Sequence, residues 1–158
     1  MHSRLWDMKP PKGHTIAELV VVVLILGILT YVAVPRLQLK AKYQSQAEST
    51  AWKIVTDLRR TRSLAILHAA TNPQGFALDL RQKGKRTIWE ILDLSTARVI
   101  DSQKVDFGVL CDSDSTFAFG PLGALREESD TTLNVTAGDR TFAIAVVPAT
   151  GMVKCIEN

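Results

Sequence analysis

The run from Ile16 to Pro35 constrains this chain more than any other part of it. The run is almost entirely apolar and has about the 20 residues that a helix needs to cross the hydrocarbon core of a bilayer. One acid, Glu18, lies near its start, and a carboxylate there costs free energy unless a partner offsets it. The run therefore predicts a membrane helix with a functional acid. A buried core helix is the alternative, but a domain of this size has little core to surround one.

A short basic leader precedes the apolar run. The first twelve residues contain three basic side chains and one acid, and positive side chains favour the cytoplasmic side of a membrane. The C-terminal part of the chain is then expected on the opposite side. A conventional secretory signal would be cut after the apolar run, but residues 32–36 make a poor site of that kind. The apolar helix is therefore expected to stay attached.

The stretch Gly13-His14-Thr15-Ile16-Ala17-Glu18 resembles the cleavage and methylation site of type IV prepilins and type II secretion pseudopilins. In that family a prepilin peptidase cuts after the glycine, methylates the new terminus and leaves a glutamate as the fifth mature residue. The resemblance implies that the leader 1–13 is removed and that His14 becomes the methylated first residue. His14 stands where the family usually has phenylalanine or methionine.

The resemblance also implies how Glu18 acts. The amine of His14, in the same or a neighbouring subunit, would offset the desolvation of the acid, so that docking is selected by charge. Residues 14–35 would form the transmembrane helix and then the core of a filament. Gly27 would permit close approach of helices there, or local melting of the helix.

Beyond Pro35 the chain is expected to remain helical and to become amphipathic over residues 36–72. Pro35 removes one helical hydrogen bond and predicts a kink where the helix leaves the bilayer, or else only a helix break. Turn residues at 72–75 end the helix. Apolar residues recur at helical spacing on one face. They are Ala47, Ala51, Ile54, Leu58 and Ala65.

The remaining residues, 73–158, are expected to form a β-rich periplasmic head. Seven short segments are rich in β-branched or aromatic residues, and turns separate them. An antiparallel meander packed on the amphipathic helix would bury both apolar faces, which gives an α+β fold shaped like a lollipop. The segments are Phe76 to Leu80, Thr87 to Leu94, Arg98 to Val105, Thr116 to Phe119, Thr132 to Thr136, Thr141 to Val147 and Gly151 to Ile156.

Three segments of this half resemble the GspH/FimT family of minor pseudopilins and minor pilins. Residues 57–66 are similar to the end of its helix, 117–123 to its F-x-P-x-G strand and turn, and 149–155 to its closing strand. The resemblance implies a structural subunit of a type II secretion pseudopilus that helps assembly and protein export across the outer membrane. The alternative is a FimT-like minor pilin of a type IV pilus, involved in pilus assembly or DNA capture.

The resemblance further implies a single-pass protein of the bacterial inner membrane, with a periplasmic head, that later enters a periplasmic or surface filament. Expected partners are other pseudopilins or pilins, the prepilin peptidase, an inner-membrane assembly platform and membrane lipid, with a secreted protein or DNA as a further ligand. No cofactor is expected, because the glycines form no phosphate loop. The histidines adjoin no nucleophile motif, so a single-pass enzyme with an unrecognised site is a minor alternative.

Two cysteines, Cys111 and Cys155, lie in the expected head. In an oxidising compartment an even pair predicts a disulfide, which would close a loop of about 45 residues and stabilise the head by ~4 kcal/mol. Two unpaired buried thiols are the alternative. No CxxC spacing or histidine cluster accompanies them, so no metal site is expected.

Charge gives limited support to nucleic-acid binding. The chain has 19 basic and 16 acidic residues, and loss of the leader leaves 16 and 15, so no broad basic surface follows. The loop 81–86, with Lys83, Lys85 and Arg86, is the candidate DNA contact, together with Lys154 near the C-terminus. A charged hairpin of this kind is also an ordinary solvated surface.

Overall fold

The computed structural model describes residues 15–84, 86–112 and 114–157, and the side chains of all of these except 32–44. The predicted sites at Gly13, His14 and Lys85 lie outside the described residues, and so does the side chain of Pro35. Backbone contacts divide the chain into two compact units, and the boundary falls between Leu39 and Lys40.

Helix α1 spans Ile16–Leu67. Its N-terminus is capped by Thr15, whose hydroxyl accepts a hydrogen bond from the backbone N–H of Glu18 at 3.3 Å. Glu18 occupies the third helical position, which is the arrangement of a capping box. Pro35 lies within the helical span. The side chain of Pro35 is not described, so the kink expected there stays a prediction.

The N-terminal part of α1 exposes its apolar side chains. From Ile16 to Tyr31, the exposed fraction of the large apolar residues ranges from 50% to 86%. The hydroxyl of Thr30 donates back to the carbonyl of Leu26 at 2.6 Å, which satisfies this polar group within the helix. Among the residues that the structure describes, no helical segment combines the length and the hydropathy of a membrane span.

The C-terminal part of α1 buries one face. The five apolar positions predicted for this face are all fully buried, which confirms the amphipathic pattern. Thr50 and Thr61 are buried with them, and the Thr61 hydroxyl donates to the backbone carbonyl of Asp57 at 2.7 Å. Lys53 and Arg60 stay on the exposed side. This face supplies the helical share of the core.

Eight strands follow in the described part of the chain, and all their pairings are antiparallel, which confirms the α+β class. They form two four-stranded sheets instead of one meander, because the fifth strand returns to pair with the first. The strands are β1 Phe76–Lys83, β2 Arg86–Asp93, β3 Arg98–Lys104, β4 Leu110–Cys111, β5 Thr116–Phe119, β6 Thr132–Ala137, β7 Arg140–Val147 and β8 Met152–Glu157.

The order of strands is β3-β2-β1-β5 in the first sheet and β4-β6-β7-β8 in the second. All seven predicted strands are present, with ends shifted by at most three residues, and β4 is the strand that the sequence did not indicate. The inner faces of both sheets and the buried face of α1 form one hydrophobic core. Its largest buried side chains are Trp89, Phe117 and Phe119.

Arg62 fastens the C-terminal end of α1 to two turns. Its Nε–H donates to the carbonyl of Gly123 at 3.2 Å and to that of Thr150 at 3.0 Å. The first turn follows β5 and the second joins β7 to β8, so a single side chain ties α1 to both sheets. Gly151 approaches Gly123 so closely that a Cβ at Gly151 would overlap the Gly123 carbonyl oxygen.

The turn after α1 depends on Asn72 and Gly75. The buried Asn72 amide accepts the N–H of Gly75 and donates to its carbonyl, each at 2.9 Å, and also donates to Asp93 at 2.8 Å. Gly75 has a φ of +82°, and a Cβ there would overlap the carbonyl oxygen of Phe119. Only glycine combines this backbone conformation with this close approach.

We expect Gly75→Ala to lower the free energy of unfolding by about 3 kcal/mol or more, because it adds a backbone overlap to the cost of a positive φ. Gly84→Ala is the matched control, since Gly84 has a φ of +66° in open space. The control should cost only about 1 kcal/mol. Urea denaturation followed by circular dichroism measures both, and equal losses would contradict the role of the close approach.

Candidate functional site

The predicted assembly residue Glu18 lies in the first turn of α1 and is exposed. A carboxylate at this position interacts favourably with the positive end of the helix dipole. Its backbone N–H is held by Thr15, so the residue has a structural role as well as the predicted charge role. Gly13 and His14, which would supply the cut and the amine, lie outside the described residues.

Gly27 lies within the exposed apolar part of α1. A Cβ added to Gly27 would meet no atom of the described residues within 4 Å. The fold of the single chain therefore does not require glycine here. A small residue on an otherwise bulky apolar helix is suited to close packing against a second helix.

The candidate DNA-contact residues are only partly brought together. Lys83 and Arg86 are directly paired across the β1–β2 hairpin and are exposed. Neither forms an ion pair with another residue in the described ranges, whereas Arg81 is paired with Asp79. Lys154 lies on β8, in the other sheet. Lys83 and Arg86 thus form a small basic patch at the tip of the β1–β2 hairpin, and Lys154 lies in a different sheet.

The predicted disulfide between Cys111 and Cys155 is wrong, because both cysteines are free. Cys111 lies on β4 and Cys155 on β8, and strands β6 and β7 run between them. Three spacings of ~4.8 Å separate these outer strands by about 14 Å. This is about twice the largest Cα separation, roughly 7 Å, that a disulfide can span.

Both thiols are protected from ionisation. Burial, aided by the charge of Asp112, raises the pKa of Cys111 to about 12. Burial also raises the pKa of Cys155, and the Glu48 carboxylate adds to the shift. Because the thiolate is the reactive form, both cysteines are weak nucleophiles at neutral pH. Across the described ranges, no group of three or more histidine, cysteine or acidic side chains is placed to hold a metal ion.

One cleft was not foreseen from the sequence. It is open, has a volume of about 540 Å³, and lies between α1 and the edge strand β3. Five of its residues lie at helical spacing on α1, next to the buried face, and the other two come from β2 and β3. The lining residues are Ser49, Trp52, Lys53, Thr56, Asp57, Trp89 and Gln103.

Ion pairs tie α1 to the β3 side of this cleft. Lys53 pairs with Asp106 at 3.4 Å, and Arg60 pairs with Asp101 at 2.6 Å. The pKa of Asp101 is lowered mainly by the hydrogen bond that Arg60 donates to its carboxylate. Both pairs are largely exposed, so each contributes little to stability.

Comparison of this chain with known protein families, with curated proteins and with solved structures found no match. Three surfaces among the described residues are candidates for function. They are the N-terminal part of α1 with Glu18, the basic hairpin tip at Lys83 and Arg86, and the cleft beside Trp52.

We expect no Cys111–Cys155 cross-link after the folded protein is incubated with oxidised glutathione, because the strands hold the two sulfurs too far apart. Peptide mass mapping without reduction tests this, and a quantitative cross-link in the folded state would contradict the strand order.

We also expect iodoacetamide to modify Cys111 more slowly than Cys155, because Cys111 is more deeply buried. The modification rate of Cys111 should keep rising toward pH 12 and not level near its ordinary pKa of 9.0. The raised pKa of Cys111 also means that its contribution to stability is present below pH 9 and is lost as the pH rises toward 12. Urea-unfolded protein is the control, and there both thiols should react alike.

Proposed function

We propose that this protein is a minor pseudopilin, a structural subunit of a type II secretion pseudopilus that assists filament assembly and protein export across the outer membrane. The observation that carries the proposal is the sequence from Gly13 to Glu18, together with the start of helix α1, where the large apolar side chains from Ile16 to Tyr31 are all exposed. A helix that is apolar all round requires lipid or other helices to cover it. A subunit stored in a membrane and then moved into a filament meets these two environments in turn.

Processing by a prepilin peptidase would cut between Gly13 and His14. Helix α1 begins at Ile16, so the new methylated amine would lie two residues before the helix. The capping contact with Thr15 holds Glu18 in the first turn. When the helix of a neighbouring subunit is aligned with α1, its methylated amine would come close to Glu18. An ammonium and a carboxylate that meet in an apolar surrounding offset each other's desolvation, whereas either one alone is costly there.

In this proposal the protein first resides in the bacterial inner membrane as a single-pass protein with a cytoplasmic leader. The basic residues of the leader support that orientation. The unit from Lys40 to Asn158 would then be the periplasmic head of a type IV pilin-like lollipop. The protein is a substrate of the peptidase and not itself an enzyme.

The head would supply contacts to other pseudopilins or pilins, to the assembly platform and to secreted protein. Three of its apolar side chains, Phe107, Leu110 and Leu122, are largely exposed. Phe107 and Leu110 lie together in the segment around β4, and Leu122 lies in the turn held by Arg62. Exposed apolar side chains on ordered turns are suited to packing against neighbouring subunits.

We expect Glu18→Gln to leave cleavage after Gly13 intact and to reduce incorporation into filaments by about tenfold or more, as for the loss of ~1.4 kcal/mol or more of docking free energy. Glutamine keeps the size and hydrogen-bonding capacity of the side chain but removes its charge. The mass of the N-terminal peptide reports cleavage, and immunoblots of sheared filaments report incorporation.

Thr15→Ala is the matched control for Glu18→Gln. It removes the capping hydroxyl, at a cost of about 0.5–2 kcal/mol to the helix end, but keeps the acid. This variant should assemble like the wild type. Equal loss of assembly in both variants would assign Glu18 a capping role only, and normal assembly of Glu18→Gln would refute the charge mechanism.

Affinity purification of the full-length protein from its native membranes distinguishes the two machines. Recovery with type II pseudopilins, together with a methylated His14 terminus, would support the pseudopilin assignment. Recovery with type IV pilus subunits would favour the minor-pilin alternative.

A second candidate function, DNA capture by a minor pilin, is favoured by the hairpin tip. Lys83 and Arg86 are exposed side by side, with no ion pair to a described residue, and Lys85 adjoins them in sequence. Such a patch contacts the phosphate backbone and does not read sequence. The separate position of Lys154 limits the patch to the hairpin.

DNA binding is tested with the full-length chain and a duplex of random sequence at several salt concentrations. If the hairpin binds DNA, the triple variant Lys83→Ala, Lys85→Ala, Arg86→Ala should weaken binding and lower the salt slope by about 2–3. Lys154→Ala serves as the control and should change neither quantity. Absence of binding at ~150 mM salt would leave structural assembly as the function.

A further inference from the structure

We propose that the cleft between α1 and β3 is a binding site for an uncharged glycan chain. The proposal goes beyond the assembly function and does not depend on it. The cleft belongs entirely to the unit that begins at Lys40, and its residues come from three elements that the core holds in fixed positions.

Two indole rings line the cleft at different depths. Trp89 is 2% exposed and lies at the buried side, and Trp52 is 49% exposed and borders the opening. A half-exposed tryptophan beside an open cleft leaves apolar ring surface in contact with water. Sugar rings present flat patches of C–H groups that can cover such a ring while their hydroxyls remain hydrogen-bonded, so a glycan suits this surface.

The polar groups of the cleft both donate and accept hydrogen bonds. The Asp57 carboxylate is oriented by the indole N–H of Trp89, which donates to its Oδ2 at 2.7 Å, and its Oδ1 has no hydrogen bond from a described residue. Gln103 and Lys53 add N–H donors, and the Ser49 hydroxyl can donate or accept. The Thr56 hydroxyl donates to the carbonyl of Trp52 at 2.8 Å and can accept from a ligand. Sugar hydroxyls also donate and accept, so they match a mixed set of this kind.

The charged groups of the lining are already engaged by other residues. Lys53 and Asp57 are the charged residues that line the cleft, and the Lys53 ammonium is paired with Asp106 at 3.4 Å while the Asp57 carboxylate accepts the indole N–H of Trp89 at 2.7 Å. A phosphate would meet an ammonium that Asp106 already pairs, together with the opposing carboxylate of Asp57. A divalent metal ion would find a single carboxylate, fewer than such ions require. A neutral polar ligand carries no such penalty.

The size and shape of the cleft favour a chain over a single sugar. Its volume of about 540 Å³ lies within the range of about 300–1,000 Å³ that is typical of small-molecule sites. Because the cleft is open, a bound sugar is not enclosed and can carry further units. The structure thus assigns the cleft to a short stretch of an oligosaccharide or polysaccharide.

The test uses the full-length chain in a detergent without a sugar headgroup, since a glycoside detergent would compete. Cellotetraose, maltotetraose and chitotetraose are titrated separately, and tryptophan fluorescence and calorimetry report binding. We expect at least one of these probes to bind with an affinity that is unchanged between 50 and 500 mM salt. Trp52→Ala should weaken this binding by about tenfold or more, and Gln103→Ala by severalfold, whereas Trp52→Phe should keep most of it.

Met152→Ala is the matched surface control, because Met152 is about as exposed as Trp52 and lies on β8, in the sheet that does not line the cleft. It should bind the probe like the wild type, and thermal melting monitored by circular dichroism should show that each variant is folded. No binding of any probe at tens of millimolar would overturn the proposal, and so would equal binding by Trp52→Ala. Tighter, salt-sensitive binding of arginine amide, competitive with the sugars, would also overturn it by assigning the cleft to a cation.

Discussion

The compact unit from Lys40 to Asn158 depends on the burial of one face of helix α1 against two sheets. Each sheet has one apolar face and four strands, and neither can bury that face alone. Ala47 and Ala51 let the helix backbone come close, and Ile54 and Leu58 fill the space between the sheets and α1. The turns, the ion pairs and the cleft are all positioned by this packing. The same helix exposes the apolar side chains of its N-terminal part, from Ile16 to Tyr31.

Much of the fold could be predicted from sequence because its signals are local. Helical spacing of the apolar residues marked the buried face of α1, and runs of β-branched residues marked seven strands. Strand β4 has only two residues, Leu110 and Cys111, which is too short to form a pattern. The cysteine pairing failed for a different reason. Two strands lie between β4 and β8, and strand order is set by packing across the whole domain.

The candidate sites also differ in whether their residues are local in sequence or are brought together only by the fold. Gly13 and Glu18 belong to one contiguous motif, and the basic hairpin tip is also contiguous, so both could be named as candidates from sequence. The sequence grouped Lys154 with that tip, but the sheets separate them. The cleft joins Trp52 of α1 to Gln103 of β3, about 50 residues later. A site of that kind becomes visible only when the register of helix and sheet is known.

The two hydrogen bonds of Arg62 resist movement of α1 along its own axis. The N–H group of Arg62 is shared by a turn that follows the first sheet and a turn within the second, so sliding α1 along its axis by one residue, about 1.5 Å, would disturb both bonds together. A force along α1 within the unit from Lys40 to Asn158 would act on these bonds and on the Arg60–Asp101 pair together. The force is thus distributed to both sheets, which resist withdrawal of the helix from between its turns.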